Sequence, residues 1–106
     1  TCAPERVAQV MRILIDNAIT HTPSGTDMVV SASRRQDSVR FGVGDFGPGI
    51  RRSMLPHIFE PFITSDDAQG SGLGLAIAHE LAERMDGRLI VDSQPGRTTF
   101  TLELPA

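Results

Sequence analysis

DFGPGI at residues 45–50 and GSGLGL at residues 70–75 bracket the stretch that decides the fold, with Phe59 and Phe62 between them. Asp45 closes a run in which Val39, Phe41 and Val43 alternate with Arg40, Gly42 and Gly44. Strict alternation predicts a strand with one buried face. Gly47-Pro48-Gly49 cannot continue a strand and must turn. A carboxylate therefore stands at the mouth of a strand, beside backbone bare enough for a ligand to approach. The second cluster, Gly70, Gly72 and Gly74, runs into a helix marked by Leu73, Ile77, Leu81 and Met85, a period of four. Glycines leading into a helix leave backbone N–H groups and the positive end of the helix dipole facing outward, which suits phosphate.

Outward from this stretch, residues 4–21 read as a first helix. Pro4 suits its first turn, and Val7, Val10, Met11, Leu14, Ile15 and Ala18 form one apolar stripe at helical spacing. Thr22-Pro23-Ser24-Gly25 ends it. Met28 to Ala32 reads as a strand, Arg34 to Ser38 as a turn, and the strand from Val39 completes a hairpin. Arg51 to Phe59 holds a short helical turn interrupted at Pro56. Glu60 to Ser71 has little periodicity and reads as a mobile lid bounded by glycines. The second helix, about residues 72–86, stops at Asp86-Gly87. Arg88 to Asp92 is a strand, Gln94 to Arg97 a turn, and Phe100, Leu102 and Leu104 alternate in a last strand. Two hairpins and two one-sided helices predict a two-layer α/β sandwich.

With 106 residues the chain supports one domain, large enough for a single core. Aromatics are only 5%, with no Trp or Tyr, so the core must be mainly aliphatic. No run reaches membrane-spanning length and no signal-peptide pattern opens the sequence. The single Cys2 cannot form an internal disulfide, which fits a reducing compartment. A net charge of -3 offers no basic footprint for nucleic acid. There is no Lys, which excludes a Walker-type phosphate loop.

Single motifs carry little. Asp45-Phe46-Gly47 matches the metal-binding DFG of protein kinases, but the Lys and HRD loop that accompany it are missing. The dinucleotide fingerprint fails at Leu75, or at Ile77 if started from Gly72. His79-Glu80-Leu81 resembles a phosphoacceptor box without its Pro, and a solvated helix His is the better reading. No cluster has zinc spacing.

The ordered set says more. LIDNAITHTP, DFGPGI, IFEPF and GSGLGLAIA, followed by DGRLIVDSQPGRTTFTLELP, resemble the ATP-binding catalytic domain of bacterial sensor histidine kinases. The superfamily also includes gyrase, the ninety-kilodalton heat-shock chaperone and the mismatch-repair ATPases. The resemblance covers essentially the whole chain, residues 1–106, as one ATP-binding domain with its lid at about 60–71. It implies a mixed, mostly antiparallel sheet covered on one face by helices (the Bergerat-type fold), N-terminally trimmed because the family has a strand segment before the first helix. It implies ATP and Mg²⁺ as cofactors, with Asn17 as the magnesium ligand. One amide oxygen suffices there because Mg²⁺ keeps waters and phosphates as its other ligands. Asp45 matches the carboxylate that accepts from the adenine amino group. Gly47, Gly49 and Ile50 match the turn beside the base. Gly70, Ser71, Gly72, Leu73 and Gly74 match the phosphate loop. Thr98 falls near the adenine, His21 matches an aromatic position against the base or ribose, and Phe59 and Phe62 anchor the lid.

Four departures stand out. Ile13 replaces a second Asn, or the general-base Glu of the hydrolysing members, and cannot take a proton from water. Thr20 replaces a Lys. The lid carries Asp66 and Asp67 but no cation, and Arg97 replaces a Gly before Thr98. The implied function is donation of the ATP γ-phosphate to a His on a helical dimerisation and phosphoacceptor domain, in the same or a separate chain, with a response regulator downstream. The implied location is cytoplasmic and the isolated domain monomeric. Two further readings are a degenerate nucleotide-binding regulatory module without phosphotransfer, which the departures motivate, and an anti-sigma-factor-type serine kinase.

Overall fold

The computed structural model describes residues 4–21, 27–47, 49–60 and 74–105, with His21 described by its backbone alone. Helix α1 (Pro4–His21) is followed by strands β1 (Met28–Arg34) and β2 (Ser38–Asp45). A 3-10 turn (Leu55–His57) then leads to α2 (Gly74–Arg84), β3 (Arg88–Gln94) and β4 (Arg97–Pro105). The strands pair in the order β1-β2-β4-β3. Every pairing among them is antiparallel, so the mixed sheet expected from the resemblance is antiparallel throughout among the described strands. Both sequence-adjacent hairpins form, and pairing of β2 with β4 joins them.

Register decides the core. Val43 pairs with Phe100, Phe41 with Leu102 and Val39 with Leu104; Leu89 and Val91 extend two of these rows onto β3. Because side chains alternate across a strand, all of them point to one face. Both helices lie on that face. The α1 stripe buries Val10, Leu14 and Ala18 completely or nearly so, with Val7, Met11 and Ile15 packed alongside, as its spacing predicts. Burying a Leu or Phe side chain contributes about 1.5–3 kcal/mol, and four of these rows and stripes meet at Leu14, Phe100, Leu102 and Leu104.

The buried face of α2 keeps Leu81 and Met85 of the expected stripe but not Ile77, and Leu73 lies outside the described residues. Ala78, Ala82 and Met85 are buried, whereas Ile77 is 41% exposed. A period of four gives the pitch of a helix but not its phase. Here the small side chains turn inward, where α2 packs closely against α1. The helix ends in a Schellman arrangement, with Gly87 N–H donating to the Ala82 carbonyl and Asp86 N–H to that of Glu83. The left-handed residue is Asp86, φ 59°, and not the glycine. Gly87 is needed for a different reason: a Cβ there would run into the Glu103 carbonyl and sit 2.6 Å from Leu104 Cδ2. The two final strands are thus pressed against the helix end.

Met28 to Ala32 does form a strand, but all seven residues of β1 are exposed. It lies at the edge of the described sheet and, among the described strands, pairs with β2 alone. On the outer face, Glu103 stands in register with Arg40 on β2 and Arg88 on β3. It accepts from both guanidinium groups, from Arg88 Nε at 2.8 Å. The hydrogen bond from Arg88, helped by Arg40, holds this carboxyl below the usual glutamate range against the opposing effect of desolvation.

Candidate functional site

Across β2, β4 and β3 the inner face of the sheet is apolar except at one end. There Ser93, Thr98 and Asp45 are register partners across β3, β4 and β2, giving a row of three polar side chains above the Val91, Phe100 and Val43 row. Thr98 is 4% and Asp45 8% exposed. Alternation along each strand carries the row inward.

That turn is held from two sides. Gly47 N–H donates to Asp45 Oδ1 at 3.0 Å, an Asx-type closure. Gly49 has φ 86°, and a Cβ on it would lie 2.5 Å from the Gln94 carbonyl oxygen. The chain therefore crosses the end of β3 at a distance only glycine allows. The next amide, Ile50 N–H, donates to Ser93 Oγ at 2.7 Å, and Ser93 Oγ is 2.8 Å from Thr98 Oγ1.

Among the described residues, Gly47 provides the single hydrogen bond to the Asp45 carboxylate, and no arginine or histidine pairs with it. A carboxylate has room for several donors, and no buried side-chain oxygen among the described residues lacks a partner, so the acceptor sites that Gly47 leaves unused are reached by solvent. The fold thus maintains an open acceptor at the strand mouth, with a bare backbone turn beside it. A flat ligand edge carrying an N–H would complete it.

Asn17 lies half-buried on α1, and none of the described residues hydrogen-bonds its amide. One turn earlier, Ile13 approaches the start of α2 so closely that a Cβ on Gly74 would be 3.4 Å from Ile13 Cγ2. Because α1 packs on both β2 and α2, the helix carrying Asn17 links the Asp45 strand to the mouth of the second glycine cluster. Gly70, Ser71, Gly72 and Leu73 lie outside the described residues, as do Phe62, most of the expected lid and the side chain of His21.

Phe59 is anchored in the core. Its ring stacks on that of His79, centroids 5.0 Å apart and planes at 25°, and meets Phe100 edge-on at 6.4 Å. His79 is consequently half-buried beneath Phe59 and not the solvated helix residue expected from the sequence. A hollow lined by Val29, Ser31, Gly44, Phe46, Arg97 and Thr99 also reaches Asp45, so it adjoins the end of the polar row, with Arg97 as its one cation.

Ser93 escaped the sequence reading, which ended β3 at Asp92. The signal was present: Ser93 continues the alternation of Leu89 and Val91, so it is a polar residue on a buried face.

The sequence from 2 to 106 matches the family model described as histidine kinase-, DNA gyrase B-, and HSP90-like ATPase. The chain is 39% identical to the sensor protein DivL of Caulobacter vibrioides over 102 residues, 95% of this chain and 13% of that protein. It is 41% identical to the sensor histidine kinase ZraS of Escherichia coli over 103 residues, 96% of this chain and 22% of that protein. It thus spans less than a quarter of the length of either. Among solved structures, the catalytic domain of the histidine kinase ThkA superposes with a TM-score of 0.87 at 28% identity, over 98% of this chain and 69% of that one. Full-length ShkA in complex with AMPPNP gives 0.85 at 34% identity, over 94% of this chain and 21% of that one. No described helix is long and apolar enough to cross a membrane.

Proposed function

Because the chain belongs to the histidine kinase-, DNA gyrase B-, and HSP90-like ATPase family, we propose that it is the nucleotide-binding catalytic domain of a sensor histidine kinase, a single domain over residues 1–106. In this reading it binds Mg-ATP and donates the γ-phosphate to a histidine on a helical dimerisation domain, in the same or a separate polypeptide. A response regulator takes the phosphoryl group onward. The setting is cytoplasmic, and the isolated domain is a monomer.

The observation that carries the reading is the open Asp45 acceptor beside the Gly47–Gly49 turn. An adenine amino group would donate to Asp45, whereas guanine presents an oxygen there and is repelled. Losing a hydrogen bond to a charged group costs about 1.5–3 kcal/mol, enough for tenfold to hundredfold discrimination. Asn17 fits a magnesium ligand, since its amide is half-buried and uncommitted and Mg²⁺ needs few protein oxygens. When bound, the ion would neutralise phosphate charge.

The described residues of the site bind and orient, and the position one turn before Asn17 supplies no base. Ile13 fills the space against Gly74 with a methyl group that accepts no proton. Phosphoryl transfer depends mainly on positioning and charge neutralisation, so the nucleophile and its base can reside on the acceptor domain. Incubating the protein with labelled ATP and an isolated histidine-bearing dimerisation domain tests this. Label on histidine supports the kinase. Binding without transfer supports a regulatory nucleotide module, and absence of nucleotide binding overturns both.

A further inference from the structure

The polar row has a direction. The Ile50 backbone N–H can only donate, and it donates to Ser93 Oγ. Ser93 Oγ lies against Thr98 Oγ1, and Thr98 has Asp45 as its register partner on the other side. A hydroxyl carries one hydrogen and two lone pairs, and an ionised carboxylate only accepts. If Thr98 donated to Ser93, its lone pairs would face the carboxylate side within a nearly buried site, an unfavourable arrangement. The arrangement that leaves no such opposition runs from Ile50 to Ser93, from Ser93 to Thr98, and from Thr98 toward the Asp45 side of the cleft.

We propose that Ser93 is a positioning residue of the base pocket. Its hydroxyl ties the Gly49–Ile50 turn to the sheet and fixes Thr98 as a hydrogen-bond donor beside the Asp45 acceptor. This rests on the nucleotide-binding reading above and extends it to the basis of specificity. A base edge that meets the pair must present a donor to Asp45 and an acceptor beside it. The 6-amino group and unprotonated N1 of adenine do so. The 6-oxo group and N1–H of guanine or hypoxanthine present the reverse pattern. Discrimination is therefore two-sided, an attraction for one edge and two mismatches for the other. Without Ser93, the Thr98 hydroxyl is free to turn and accept, and one of the two mismatches disappears.

The experiment compares ATP with ITP, which carries hypoxanthine, by titration calorimetry on the wild-type chain, Ser93→Ala, Ser93→Thr and Thr98→Val. Amide exchange at Ile50 is followed in the nucleotide-free proteins. The wild type should prefer ATP. Ser93→Ala should narrow the ATP:ITP affinity ratio about tenfold, the worth of one hydrogen bond, and speed exchange at Ile50. Ser93→Thr should restore both. Thr98→Val should narrow the ratio while leaving Ile50 protected, and it keeps the test decisive if Ser93→Ala does not fold. Equal loss of ATP and ITP affinity in Ser93→Ala, an unchanged ratio in Thr98→Val, or failure of Ser93→Thr to restore the ratio would each overturn the proposal. A wild-type protein that binds neither nucleotide would instead overturn the nucleotide reading and the specificity role with it. In that case Ile50 exchange still decides whether Ser93 holds the turn.

Discussion

Alanine at Gly49 and at Gly96 should separate two costs that are usually confounded. The two glycines have nearly the same backbone, φ 86° and 87°, and an L residue held in that left-handed region costs about 1–2 kcal/mol. At Gly96 an added Cβ meets nothing within 4 Å, so that cost is the whole effect. At Gly49 the Cβ would lie 2.5 Å from the Gln94 carbonyl oxygen and 3.1 Å from its carbon. Both are backbone atoms of a paired strand and cannot swing aside. The turn must lift instead, and the Ile50 to Ser93 hydrogen bond is lost with it. That adds about 0.5–1.5 kcal/mol, or about 1–3 kcal/mol if the amide is left buried without a partner. Gly49→Ala should therefore cost about 1.5–5 kcal/mol against about 1–2 for Gly96→Ala. For a domain near 100 residues the corresponding Tm losses are about 6–25 °C and about 4–10 °C. Urea unfolding with an unchanged m-value gives the two numbers, and a fluorescent adenine nucleotide gives the functional half. Gly49→Ala should bind at least tenfold more weakly, and Gly96→Ala as the wild type does. Equal destabilisation by the two variants, or wild-type binding by Gly49→Ala, would refute the close-crossing account of the turn.

Asp45→Asn should weaken adenine-nucleotide binding about tenfold or more, by loss of a hydrogen bond to a charged acceptor, while Tm changes little because an Asn Oδ1 can still accept from Gly47; nucleotide titration and thermal unfolding check the two parts. Asn17→Ala should weaken Mg-ATP more than metal-free ADP, and equal losses would make Asn17 structural. Glu103 gives the pH dependence. Arg88 foremost, with Arg40, lowers its carboxyl in the folded state, so its contribution is complete above the ordinary glutamate value of about 4.3 and is lost as pH falls through the lowered folded value. Urea midpoints on the acid side should fall less steeply for Glu103→Gln, and parallel curves would show that the two arginines do not act through this carboxylate.

Local patterns were legible where one residue's environment depends on its near neighbours. The α1 stripe from Val7 to Ala18 and the alternation of Val39, Phe41 and Val43 predicted the right elements with the right faces. Asp45, Gly47 and Gly49 announced themselves as a carboxylate beside a bare turn. The pairing of β2 with β4 did not, because alternating strands of similar polarity do not encode their neighbour order. The phase of α2 was hidden for a related reason: Ile77 is the more apolar residue, but the close approach of α1 favours Ala78 and Ala82. Asn17 and Thr98 were reached through the resemblance, since an isolated Asn or Thr has no periodic signature. Ser93 acquires its role only from Ile50, 43 positions earlier, a relation that no window on the sequence contains.

The position of β4 between β2 and β3 also bears on how a nucleotide site comes into existence. β4 is the latest of the four strands to leave a ribosome, yet it is central in the sheet and supplies the middle member of the polar row. Until it inserts, β2 and β3 are both unpaired on the sides that will meet it, and Asp45 has no Thr98 beside it. Pairings between distant segments form slowly, because the loop must close before the contacts repay it. A chain interrupted before residue 97 would therefore hold both helices and the β1-β2 hairpin, with β3 lacking its partner and no assembled base pocket. Competence to engage a nucleotide would arise in one late step, coincident with completion of the core.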